Sequence, residues 1–271
     1  MTRALLRPAV TAAALALLLS ACSGDDAGSD DGTAAGADFG LVSAGTLTVC
    51  TDAPYPPFEY EDADAPSGYA GFDVDITQAI AEDLGLDFVV KDVAFDALQS
   101  GTVLKAGQCD MGMSAITITE ERKANIDFAE PYYDSLQSLL TATDSGIGSI
   151  DDLVGKRLGV QQGSTGKLYA EENAPEGTTF VEFPGDGELW PALQAGQIDA
   201  ILQDHPVNVE HTRADDGYVL VGEYDTGEQY GFAFAKDEKV ELREAVGEAL
   251  AAMREDGRYD EIYDSYFSAE G

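Results

Sequence analysis

The spacing of apolar side chains along the chain marks out alternating strands and helices. "TLTVCTD" (Thr46 to Asp52) predicts a strand. "FDVDITQAIAEDLG" (Phe72 to Gly85) places Val74, Ile76, Ile80 and Leu84 at helical spacing, with Gly85 as its stop. "DFVVKDV" (Asp87 to Val93) again predicts a strand, Phe95 to Ala106 a helix, and Asp110 to Ala115 a short buried strand. Beyond residue 140 the order repeats: a short helix over Ile150 to Val154, strands over Leu158 to Gln161 and Phe180 to Phe183, helices over Leu168 to Glu172 and Leu189 to Ala195. Alternation of this kind predicts mostly parallel sheets covered by helices.

One internal repeat organises the pattern. "LKAGQCD" from Leu104 and "LQAGQID" from Leu193 agree at five of seven positions, 89 residues apart, and each leads into an apolar strand. Two similar α/β lobes are expected. Ligands of open α/β sheets bind beyond the carboxyl ends of the strands. Ser114 and Ala115 end the strand of the first repeat; Gln203 and Asp204 end that of the second.

The N-terminus departs from this alternation. Arg3 and Arg7 flank an apolar run, Ala9 to Leu19, too short to span a bilayer as a stable helix, and Leu19-Ser20-Ala21-Cys22 follows. This resembles a bacterial lipoprotein signal, which implies a signal peptide over 1–21 and lipid on Cys22. Ser23 to Gly40 is small, polar and acidic and predicts a tether of about 18 residues, reaching roughly 20–25 Å. The formal net charge of -36 excludes a nucleic-acid partner, which requires a basic face. In an exported chain, Cys50 and Cys109 admit either a disulfide or two buried thiols.

Candidate chemistry centres on Arg122. In "CDMGMSAITITEERK" (Cys109 to Lys123), Thr119 reads as a helix N-cap, with Glu120 and Glu121 in the first turn. An arginine at the third helical position opposes the dipole unless an anion neutralises it. With Asp204 facing it from the other lobe, a guanidinium and a carboxylate would meet the two ends of a zwitterion. "GVQQGSTGK" (Gly159 to Lys167) is a Gly-rich turn before a helix. It lacks the phosphate-loop pattern, because Gln161 and Leu168 stand where Gly and a hydroxyl residue are needed, and its N–H groups at Ser164 to Gly166 suit a carboxylate. Gln162 breaks a hydrolase Gly-x-Ser-x-Gly elbow, and His205 and His211 form no metal-binding cluster with cysteine. No metal, cofactor or catalytic residue is expected. Tyr55 and Phe95, each after a strand, are placed to sandwich a small ligand.

The ordered motifs "YPPFEY", "GFDVDITQAIAEDLG", "SAITITEER", "DFAEPYY", "GVQQGSTG" and "AILQD", with the tail "MREDGRYDEIYDSYF", resemble the solute-binding proteins of bacterial polar amino-acid ABC importers over about residues 44–268. The resemblance implies a periplasmic-binding-protein-like α/β fold. Lobe 1 would comprise 44–135 and 228–271, lobe 2 would comprise 136–227, and two crossover strands would join them after a lipidated tether over 22–43. It implies that Arg122 binds an α-carboxylate, helped by Thr117 and the Thr165 backbone. Asp204 would take the α-ammonium with the Ala115 carbonyl and the Thr117 hydroxyl. Tyr55 and Phe95 would stack on the side chain; Asp52, Ser114 and Gln161 would select it. The expected protein is a monomer anchored by lipid outside the cell membrane, with a free amino acid, a permease and its ATPase as partners. A dehydratase-type enzyme and a ligand-sensing domain are the rival readings of such a fold; no spare acid–base pair is evident for the former.

Overall fold

The computed structural model describes residues 39–268. The expected signal peptide, Cys22 and most of the tether therefore lie outside the described residues. The strands are β1 (Thr46–Thr51), β2 (Tyr60–Glu61), β3 (Tyr69–Ala70), β4 (Asp87–Asp92), β5 (Met111–Gly112), β6 (Ile126–Phe128), β7 (Tyr133–Ala142), β8 (Arg157–Gln161), β9 (Thr179–Phe183), β10 (Ala200–Asp204), β11 (Tyr218–Tyr230) and β12 (Ala233–Ala235). The helices are α1 (Phe72–Asp83), α2 (Phe95–Gln99), α3 (Thr102–Lys105), α4 (Glu120–Lys123), α5 (Thr165–Asn173), α6 (Asp186–Gln194), α7 (His205–Ala214), α8 (Val240–Asp256) and α9 (Arg258–Phe267), with a 3-10 turn at Ile150–Leu153.

Two five-stranded sheets form two lobes, ordered β4-β1-β5-β12-β6 and β11-β7-β10-β8-β9. Period-two alternation sends successive strand residues to opposite faces, so each sheet carries a core on both sides. In lobe 1, Leu47 and Val49 pack with helix residues such as Ile76, Val246 and Leu250, while Cys50 lies in the opposite core with Phe95 and Leu98. In lobe 2, Leu139, Val160 and Leu202 face one layer and Leu140 and Ile201 the other. Both sheets are mixed rather than mostly parallel. The strand–helix alternation correctly implies that β1 runs parallel to β4 and β5, and β8 to β9 and β10. It misses β12, antiparallel to β5 and β6, and β7, antiparallel to β10 and β11. Those are strands reached when the chain crosses between lobes and returns.

The crossover is a two-stranded ribbon in which Ser135 pairs with Glu228, Asp134 with Gln229 and Tyr133 with Tyr230. The repeat has a structural counterpart. Asp110 accepts from the Thr48 N–H at 2.9 Å, and Asp199 accepts from the Arg157 N–H at 2.7 Å. In both lobes the repeated aspartate thus holds the start of the neighbouring strand. The expected helix over Phe95 to Ala106 is split into α2 and α3 at Gly101, whose φ of 77° is left-handed and whose missing Cβ makes room for Ile126. The expected strand over Asp110 to Ala115 shortens to Met111–Gly112, and the backbone turns three residues later at Ala115 (φ 46°). Cys50 and Cys109 are joined as a disulfide, with Cα atoms 5.7 Å apart. The segment assigned to the tether up to residue 43 packs in part on lobe 1: Phe39 is buried and the Val42 N–H donates to Asp110 at 2.7 Å.

Candidate functional site

A small cavity lies between the lobes, at the carboxyl ends of their parallel strands. Lobe 1 contributes Asp52 and Tyr55 after β1, Phe95 at the start of α2, Ser114, Ala115 and Thr117 after β5, and Arg122 on α4. Lobe 2 contributes Gln161 at the end of β8, Ser164 and Thr165 at the start of α5, and Asp204 at the end of β10. All eleven ligand-binding residues expected from the sequence line this cavity.

Arg122 is 5% exposed. Its Nη1 donates to the Thr117 carbonyl and its Nη2 to the Gly163 carbonyl, each at 2.9 Å, and its guanidinium lies 5.3 Å from the centre of the Phe95 ring. A guanidinium carries five N–H donors, so donors remain for an anion. Burial lowers its pKa, opposed by the charges of Asp204 and Glu228. Thr119 caps α4 as expected, accepting from the Arg122 N–H at 3.1 Å. The helix is a single turn, however, and its dipole is correspondingly small. The carbonyl partners and the cavity place the guanidinium; opposition to a helix dipole contributes little.

Asp204 holds the opposite charge. Its Oδ2 accepts from Tyr55 at 2.9 Å and Tyr230 at 2.6 Å, and its Oδ1 from Gln137 at 2.5 Å. Burial, then the Glu228 charge, push its pKa up to about 6 against these three donors. Asp52 accepts from Gln161 Nε2 at 2.8 Å across the cleft; burial and then Asp92 push it up to about 7. Contacts that join the lobes around the cavity include Arg122 to Gly163, Gln161 to Asp52, Tyr55 and Tyr230 to Asp204, and Thr117 beside Thr165 with hydroxyl oxygens 3.3 Å apart.

Several side chains also make contacts that the sequence does not predict. The Tyr55 hydroxyl ties to Asp204, and Phe95 carries Arg122 over its ring. Ser114 accepts from the Asp52 N–H at 3.1 Å and donates to Glu59 at 2.5 Å, so its hydroxyl positions the strand end. The Ser164 N–H donates to the Gln161 carbonyl at 3.3 Å, which removes it from the expected anion nest. Helix geometry leaves Thr165 and Gly166 N–H without intrahelical acceptors. The sequence reading missed Gln137 on β7 and Glu228 and Tyr230 on the crossover ribbon, where strand periodicity gives no sign of which face meets a cleft. It also missed Glu59 and Asp73, which lie fully buried behind the Ser114–Ala115 turn. Asp73 accepts from the Ala115 N–H at 2.9 Å and from Tyr132 at 2.6 Å.

The model of the bacterial extracellular solute-binding proteins, family 3, matches residues 47–269. The chain belongs to that family. It is 30% identical over 265 residues to the arginine-binding extracellular protein ArtP of Bacillus subtilis (strain 168), covering 96% of this chain and 97% of that protein. An ancestral arginine-binding protein bound to arginine superposes with a TM-score of 0.75 at 37% identity, over 83% of this chain and 99% of the other. The structure of an ancestral arginine-binding protein bound to glutamine gives 0.76 at 35% identity, over 83% and 99%. These relatives bear the names of binding proteins, not enzymes, and this solute-binding protein has the same two-lobed α/β architecture.

Proposed function

We propose that this family-3 protein captures a polar, cationic amino acid between its lobes and delivers it to an ABC permease. The observation that carries the reading is one buried cavity presenting Arg122 and Asp204 from opposite lobes, with a further acid, Asp52, on its wall. Arg122 grips the α-carboxylate and Asp204 the α-ammonium; Asp52 meets a cationic side chain, flanked by Tyr55 and Phe95. The arginine-binding relatives support this assignment. Residues 44–135 and 228–271 act as one lobe and 136–227 as the other. A ligand touching both shifts the hinge equilibrium by its extra contacts in the closed form, and the permease reads that form. A thermal-shift screen over the twenty amino acids plus ornithine and cystine tests the reading. Arginine, lysine or ornithine should raise the melting temperature most; stabilisation by acidic amino acids alone, or by none, overturns it.

The same proposal places lipid on Cys22, anchoring the protein as a monomer outside the cell membrane. Globomycin should block processing, and Cys22→Ala should release the protein from membranes; unchanged processing and retention would remove the anchor from the proposal.

A further inference from the structure

Glu228 sits on the crossover ribbon behind the cavity wall, and its carboxylate gathers donors from both lobes. Its Oε2 accepts from the Thr117 hydroxyl of lobe 1 at 3.0 Å and from the Thr165 hydroxyl of lobe 2 at 2.9 Å. Gln137 Nε2 stands between it and Asp204, 3.1 and 3.2 Å from the two Glu228 oxygens and 2.5 Å from Asp204 Oδ1. Thr226 donates to Oε1 at 3.0 Å.

The consequence is one of proton direction. A threonine hydroxyl has one proton and two lone pairs, and a carboxylate only accepts. With both protons committed to Glu228, Thr117 and Thr165 turn lone pairs, not protons, towards the cavity they line. Beside them stands Asp204, also an acceptor. The two hydroxyls thus suit a donor with several N–H bonds and offer no proton to a carboxylate. We infer that Glu228, which does not line the cavity, is a positioning residue that fixes the Thr117 and Thr165 hydroxyls as acceptors for the ligand's α-ammonium. The inference rests on the amino-acid reading above and sharpens it: Thr117 serves the ammonium, and Arg122 holds the carboxylate without that hydroxyl. In Glu228→Gln the amide can donate to a threonine oxygen, releasing a hydroxyl proton to face the ammonium.

The test is calorimetry on the mature protein with L-arginine and with 5-guanidinopentanoate, which is arginine without its α-amino group; weak binding of the analogue is read by competition against arginine. Glu228→Gln should weaken arginine about tenfold to hundredfold and the analogue by less than about threefold. In a Thr117→Val/Thr165→Val background, adding Glu228→Gln should cost less than about threefold more. Equal weakening of both ligands, or an undiminished effect in the valine background, overturns the inference and makes Glu228 a general support of the fold. Melting of the empty variants monitors folding. Should Glu228→Gln prove unfolded, Thr117→Val alone decides, since it must spare the analogue while weakening arginine. A wild-type protein that binds no basic amino acid would instead defeat the functional reading itself, and this inference with it.

Discussion

At the residue scale, Arg122 and Asp204 are held differently, and that sets what each substitution should do. Arg122 spends two donors on the carbonyls of Thr117 and Gly163, one from each lobe. Arg122→Ala and Asp204→Ala each remove one charged partner and leave a ligand charge uncompensated in a closed site. Each should weaken binding by about 2–5 kcal/mol, thirtyfold or more, with calorimetry as the measure. Arg122→Lys should restore only part, since an ammonium cannot grip a carboxylate bidentately. Asp52 adds a pH dependence. Its pKa of about 7 in the empty site means that a cation binding there expels a proton. Affinity for arginine should therefore rise from pH 6 to pH 8 and level off above the Asp52 value, by at most about tenfold per pH unit. Asp52→Asn should weaken binding and flatten this rise; a titration showing the wild-type slope in the variant would assign it elsewhere. Arg122 was legible because its charge stood out among the first-turn acids Glu120 and Glu121. Its real anchors, the nearby Thr117 carbonyl and the Gly163 carbonyl from the other lobe, were not.

At the scale of elements, the strand ends were legible because apolar runs stop there: Thr51, Gln161 and Asp204 all end strands within a residue of the expected place. Breaks set by tertiary contacts were not. Gly101 splits a helix because Ile126 leaves no room for a Cβ, and nothing local to Phe95–Ala106 encodes Ile126. The Cys50–Cys109 bridge was likewise undecided from sequence, since both cysteines sit in apolar runs that suit buried thiols equally well. It closes a separation of 59 residues, linking β1 to the residue two positions before β5, whose ends carry Asp52 and Ser114. Cys50→Ser with Cys109→Ser should lower stability by about 2–4 kcal/mol, read from urea unfolding midpoints of oxidised wild type and variant. Arginine binding should weaken as well, because the two strand ends meet through the Asp52 N–H to Ser114 bond. Unchanged midpoints would show that the bridge contributes nothing to stability.

At the scale of the whole molecule, the sequence conveyed two α/β lobes through one repeat, while the antiparallel strands at the crossover escaped because their partners come from across the chain. What the lobes share is an excess of buried acid. Glu59 and Asp73 are both fully buried in lobe 1, and Glu59 Oε2 and Asp73 Oδ1 have no hydrogen-bond partner among the described residues. Burial first, and for Glu59 the charge of Asp73 second, raise both pKa values. Asp52 and Asp204 are raised too, to about 7 and about 6. A carboxyl group whose pKa is raised on folding binds its proton more tightly in the native state. Stability then falls as pH rises from the unfolded carboxyl range, near 4, through the folded values. The empty protein should accordingly melt higher at pH 5.5 than at pH 8, by about 2–4 °C for each kcal/mol regained. Arginine affinity should move the opposite way across the same interval, because the ligand requires the charged acids that the empty fold disfavours. The pair of slopes is the decisive measurement: melting of the empty protein and calorimetry with arginine, both at constant ionic strength. To separate the two groups of acids, Glu59→Gln should flatten the stability slope and leave most of the affinity slope in place. An empty protein equally stable at both pH values would mean that these acids are relieved in the fold by partners other than the ones described.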